Sequence, residues 1–194
     1  DVVAITTYGN YDAENPPRFL YLSKDAGKTW ETVEVRKIAD MVDPGDFHLH
    51  DVEYDPWAHR LWVTNGDRVN SALQYSDDWG KTWTVVDGHD AGQATNIVAL
   101  PDRVLFFTDS PYNGIYVWRR DPKQMQKPVV PEDIEELYTP LGKRLSLVKM
   151  VSNITHSGKE SIYSRYPYTL IAMAEGSQTP NDGFPGRIMA SPDG

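Results

Sequence analysis

The chain has 194 residues, 40 % of them apolar, including 6 Trp, 11 Tyr and 5 Phe; this supplies the core of one medium domain, or of part of a larger one, and excludes a disordered chain. A net charge of −9 with only isolated basic pairs, Arg119-Arg120 and Lys143-Arg144 among them, argues against nucleic acid as a partner. The absence of cysteine excludes disulfides, thiolate nucleophiles and Cys-ligated zinc, and no apolar run approaches the roughly 18 residues of a membrane helix.

Short runs rich in β-branched and aromatic residues, bounded by Gly, Pro, Asn and Asp, predict strands from the first residue onward. They fall at 1–7, 18–22 and 30–35, then at 48–54, 60–64, 72–76 and 83–86, then at 96–100, 103–108 and 114–119. Residues 122–143 read as an insertion, in which Pro131-Glu132-Asp133-Ile134-Glu135-Glu136-Leu137-Tyr138 predicts a short helix opened by proline and early acids. Further strands are expected near 145–152, 168–174 and 186–190. Short strands at steady spacing predict an all-β fold.

Superimposed on this pattern is an internal repeat. Ser23-Lys24-Asp25-Ala26-Gly27-Lys28-Thr29-Trp30 and Ser76-Asp77-Asp78-Trp79-Gly80-Lys81-Thr82-Trp83 both fit S-x-D-x-G-K-T-W, 53 residues apart, and Ser191-Pro192-Asp193-Gly194 reads as the start of a third copy. Ser and Asp side chains hold a turn by bonding nearby backbone N–H groups, Gly supplies a positive φ, and Thr-Trp opens the next strand with a ring to bury. A phosphate loop is excluded, because G-x-x-x-x-G-K-[ST] needs glycine where Leu22 and Tyr75 stand. A calcium loop of the EF-hand type lacks its alternating oxygen ligands.

The octads resemble the Asp-box, or BNR repeat, of the sialidase-like β-propellers, in which the box is a structural hairpin between the third and fourth strands of a four-stranded blade. The resemblance implies a β-propeller with a partial blade at 1–37, a full blade at 47–88, a blade without a box at 93–121 and a partial blade at 144–194 ending in a truncated box. Ser23, Asp25, Gly27, Thr29 and Trp30, with Ser76, Asp78, Gly80, Thr82 and Trp83, are then the structural box residues. Roughly three and a half blades fall short of the four to eight that close a ring. The expectation is an incomplete propeller, closed by further residues or by another chain.

In such a fold the starts of the innermost strands and the ends of the second strands share one face near the axis. The polar residues at those positions are Tyr8, His48, His50, Asp67, Gln93, Asn96, Asp109 and Glu175. The segment His48-Leu49-His50-Asp51-Val52-Glu53-Tyr54-Asp55-Pro56 also resembles an H-x-H-x-V-x-x-D-P run of uncharacterised bacterial and phage BNR-repeat proteins labelled glycosyl hydrolase-like. His48 and His50, two apart on a strand, point to one side and can orient a sugar, ligate a metal with Asp67 or Asp109, or serve as hydrogen-bonded channel residues. Asp67 and Asp109 are the candidate catalytic carboxylates of a glycosidase, or turn residues; Tyr8, His48, His50, Gln93, Asn96 and Glu175 are the candidate substrate contacts. No metal or other cofactor is called for.

Sialidases proper grip their substrate carboxylate with three arginines and carry an Arg-Ile-Pro near the start. Here Arg-Ile-Pro is absent, and of Arg60, Arg68 and Arg103 only Arg68 falls on the favoured face. The expectation is therefore carbohydrate recognition, with glycoside hydrolysis open, in an extracellular, cell-surface or virion protein. The alternative is a non-catalytic structural or adhesion module such as part of a phage tail.

Overall fold

A computed structural model describes residues 1–7, 14–66, 68–86, 90–108, 114–138, 145–151 and 170–175. Among the described residues the fold is all-β, with helical geometry confined to 3-10 turns of three or four residues. Strands β1 (Val3–Thr6), β2 (Phe19–Ser23) and β3 (Glu31–Glu34) form a three-stranded sheet. Strands β4 (His48–Asp55), β5 (Arg60–Gly66), β6 (Ala72–Ser76) and β7 (Thr84–Val86) form a second, four-stranded sheet. A third contains β8 (Ala94–Ala99), β9 (Arg103–Thr108), β10 (Gly114–Arg119) and β11 (Ile134–Tyr138), and β12 (Leu145–Val151) pairs with β13 (Leu170–Glu175). Every pairing is antiparallel between strands consecutive in sequence.

The sheets lie face against face because their strands are apolar on both sides. On β5, Leu61 and Val63 join Leu20, Leu22, Val33 and Phe47 between the first two sheets, while Trp62, one residue out of phase, joins Leu73, Val104, Phe106 and Trp118 between the second and third. Leu105 and Phe107, alternating with Val104 and Phe106 on β9, carry a third apolar cluster on the far side of the third sheet. This is period-2 geometry used on both faces at once. As a result β1 lies beside β4, β4 beside β8, and β8 beside β12.

The segment expected to be a helix differs. Pro131–Asp133 is a single 3-10 turn, closed by the Val130 N–H donating to the Asp133 carboxylate at 3.2 Å, and Ile134–Tyr138 is strand β11. Ile134 alternates with Glu135 and buries its side chain, 6 % exposed, opposite Trp118, so the open edge of β10 captures the segment. Part of the stretch read as an insertion is thus the fourth strand of the third sheet. The strand expected near 186–190 and the truncated octad lie outside the described residues.

Candidate functional site

The site is built where leading strands begin. His48 at the start of β4 pairs with Gly66 at the end of β5, Ala94 at the start of β8 with Thr108 at the end of β9, and Leu145 at the start of β12 with Glu175 at the end of β13. All three leading strands lose register near that same end, between Leu49 and Asp51, Ala94 and Asn96, and Ser146 and Lys149. An extra residue there bends the strand and re-aims its side chain.

On β4 the extra residue is His50. Its Nδ1 lies 3.2 Å from the Ala94 carbonyl, which can only accept, so Nδ1–H donates. His50 Nε2 and His48 Nε2 share one hydrogen bond at 3.0 Å. The Thr64 hydroxyl donates to the same Ala94 carbonyl at 2.7 Å. Gly66 is required beside this pair: a Cβ there would sit 2.2 Å from His50 Cε1. His48 is 2 % exposed and holds His50, which is half-buried. Gln93, flanking Ala94, is buried, and Asn96 is half-buried with its amide donating to the Thr95 carbonyl. Of the expected substrate contacts the structure gathers His48 and His50 around Ala94, between Gln93 and Asn96 in sequence. Glu175 holds the equivalent register position one sheet further on. Tyr8, Asp67 and Asp109 lie outside the described residues.

A buried amide network braces the end of β5. Gln74 Nε2 donates to Asn65 Oδ1 at 2.7 Å, the Asn65 amide donates to the Asn70 carbonyl, and Asn70 Nδ2 donates to the Asp43 carbonyl at 2.6 Å.

Two carboxylates of the His48–Pro56 run were not among the candidate site residues. The N–H groups of Ile97 and Ala99 lie on the side of β8 that faces β4; Asp51 accepts from Ile97 at 2.7 Å and Glu53 from Ala99 at 3.4 Å. Burial pushes Asp51 up to about 6, against the pull of the Ile97 and Val52 N–H groups. Burial likewise pushes Glu53 up to about 8, opposed by the Ala99 N–H and reinforced by the charges of Asp51 and Asp55. The alternation Asp51-x-Glu53-x-Asp55 on a strand was the available signal, since period 2 aims all three at the neighbouring sheet.

The two octads share one hydrogen-bond scheme. Ser23 Oγ and Ser76 Oγ each donate to the Asp two residues on, at 2.8 Å, and accept from the Gly N–H at 2.8 and 2.7 Å. The Thr29 and Thr82 hydroxyls donate to Asp25 and Asp78 at 2.7 Å, and their N–H groups at 2.8 and 2.9 Å. Both turn centres run through two residues of positive φ, Ala26-Gly27 and Trp79-Gly80. The rings differ from expectation in one copy: Trp30 is 45 % exposed rather than buried, its indole N–H donating to the Gly27 carbonyl at 3.0 Å.

Among the described residues no group of three or more His, Cys, Asp or Glu is arranged to hold a metal ion, and no helix is long and apolar enough to cross a membrane. No family model, no curated protein and no solved structure matches the chain.

Proposed function

We propose that the chain is part of a β-propeller of the Asp-box, sialidase-like kind that recognises carbohydrate on the face where its leading strands begin. The observation that carries this reading is the register irregularity repeated at the same end of β4, β8 and β12, which on β4 turns out the half-buried His50 beside Ala94. Sugar hydroxyls need donors and acceptors at fixed angles. His50, held on both nitrogens by the Ala94 carbonyl and by His48, offers the face of its ring to the C–H side of a sugar, while the hydroxyls are left to the Asn96 amide, whose oxygen accepts and whose second N–H donates. In this reading His50 and Asn96 touch the ligand and His48 positions His50. Asp67 and Asp109 are assigned as the acid and the base or nucleophile of an accompanying hydrolysis.

A glycan-array screen of the full chain, run beside folded His50→Ala and Asn96→Ala variants, tests recognition. Specific binding that falls at least tenfold in both variants is the expected result; an array with no bound glycan overturns it. Release of reducing sugar from the bound glycan, abolished in Asp67→Ala and in Asp109→Ala, tests the hydrolytic part.

A further inference from the structure

A second surface carries chemistry that the first does not use. Between β3 and the second octad lies a groove of about 590 Å³, with Lys24, Arg36, Lys37 and Lys81 on its walls and Trp79 and Trp83 among its lining residues. Three carboxylates, Glu31, Glu34 and Asp40, share the lining with these four cations. The carboxylates of β3 are already engaged: Glu31 pairs with Lys24, and Glu34 pairs at 2.8 Å with Arg18, which lies outside the groove. Arg36 donates Nε–H to the Asp40 backbone carbonyl at 3.0 Å, so its charge is not neutralised by that bond. Lys37 and Lys81 are exposed and form no ion pair among the described residues. Against the remaining cations Arg36, Lys37 and Lys81, the groove sets the single carboxylate of Asp40.

The aromatic residues are fixed before any ligand arrives. Trp79 stacks on Tyr54 with centroids 5.2 Å apart and rings inclined by 19°, and the Lys24 ammonium lies 4.9 Å over a Trp79 ring. Trp83 is pinned by its indole N–H donating to the Glu34 carbonyl at 3.2 Å. A rigid aromatic surface accepts the apolar face of a saturated ring at low entropic cost, and ammonium groups beside it select for acid groups on that ring.

We propose that this groove binds an anionic glycan chain, one bearing sulfate or carboxylate groups, which pair with Arg36, Lys37 and Lys81 while a sugar ring rests against the indoles. The site is separate from the leading-strand face and stands without it.

The test is calorimetric titration of the full chain with a heparin-derived sulfated hexasaccharide, at about 20 mM and about 300 mM salt to bracket the Debye screening range. Binding at low salt is expected, weakened at high salt, and weakened at least tenfold by Lys37→Ala/Lys81→Ala, whose two exposed side chains leave the core intact. An uncharged hexasaccharide and a short poly-glutamate are each expected to bind at least tenfold more weakly. Absence of binding at low salt overturns the proposal, as does an unaltered affinity in the double variant. Equal binding of poly-glutamate also overturns it, because the groove would then read charge alone. Binding lost in His50→Ala and kept in Lys37→Ala/Lys81→Ala would move the ligand to the leading-strand face and likewise overturn the groove.

Discussion

The hairpin joining β6 to β7 and the connection joining β10 to β11 do the same topological job by opposite means. The turn of the first is closed by its own residues, since Ser76, Asp78, Gly80 and Thr82 satisfy one another within a few positions, with Asp77 paired to Arg60 and the Trp83 indole bonded to the Glu34 carbonyl as its ties outward. The second, running through Arg120–Asp133, has no octad and is fastened to its neighbours instead. Arg120 donates to the carbonyls of Leu100 and Pro101 and forms a buried pair with Asp55 of β4. Arg60 of β5, fully buried over the Tyr75 ring at 4.0 Å, donates to the Lys127 carbonyl, and the Val129 N–H donates to the Tyr75 hydroxyl. A hairpin with local bonds can fold before its neighbours; one with tertiary bonds depends on the second and third sheets being together.

The tertiary fastening is most vulnerable at Arg120. Burial pulls this guanidinium below its usual range, and the neighbouring Asp55 charge and hydrogen bond pull it back. Asp55 also caps the turn at Trp57 and Ala58 and receives the Trp62 indole N–H, so removing Arg120 strands a charge inside the protein. Arg120→Ala should lower stability by about 3–5 kcal/mol. Urea denaturation checks this, and a loss under about 1 kcal/mol would mean that the connection is not held by the pair.

A second effect separates a local turn from a contact between sheets by pH, with opposite signs. Asp25 in the first octad is drawn down to about 2, chiefly by the Thr29 hydroxyl, so its contribution is complete above its usual value of 3.8 and is lost as pH falls toward 2. Glu53, between the second and third sheets, has a folded value near 8 against an ordinary 4.5. The folded state therefore holds more protons than the unfolded one between those values, and stability falls as pH rises from 4.5 to 8. Asp51 adds the same sign between 3.8 and about 6. Glu53→Gln, which stays neutral, should flatten that decline, an effect of roughly 2–4 kcal/mol at pH 8. Thermal melts from pH 4.5 to 8.5 on both proteins decide it, and parallel slopes would remove Glu53 as the cause.

How much of this was legible depended on whether the cause was local. The octads announced their hairpins because the Ser, Asp, Gly and Thr bonds that close them span at most four residues, and strands β4 to β10 followed from alternating apolar runs between turn residues. The propensity of Pro131-Glu132-Asp133 for a helix start was real and produced one 3-10 turn; what cut it short was the waiting edge of β10, a partner more than a dozen residues away. The burial of Arg120 was invisible for the same reason, since its partner Asp55 lies 65 positions distant, and Arg60 is held both by Asp77 of the second octad, 17 positions on, and by the Lys127 carbonyl, 67 positions on. His48 and His50 were picked out as a same-side pair, but the irregularity that aims His50 at Ala94 belongs to the pairing of β4 with β5.

The smallest contrast lies between the two octads themselves. Gly27 and Gly80 have nearly equal φ, +84° and +80°, so alanine at either should cost about 1–2 kcal/mol in backbone strain alone. Their surroundings differ. A Cβ on Gly27 meets only the Trp30 ring at 3.6 Å, whereas one on Gly80 would lie 2.3 Å from Cγ1 of Val33, a β-branched side chain that is 8 % exposed on the neighbouring sheet. Gly80→Ala should therefore cost about 1–2 kcal/mol more than Gly27→Ala, the penalty of overpacking added to the same strain. Val33→Ala in the Gly80→Ala background should recover part of that difference, because it removes the clashing methyl groups, while in the Gly27→Ala background it should only destabilise. Equal losses for the two alanines, with no coupling to Val33, would mean that the second octad is as independent of its neighbour as the first, and that the hairpin takes no part in joining the sheets.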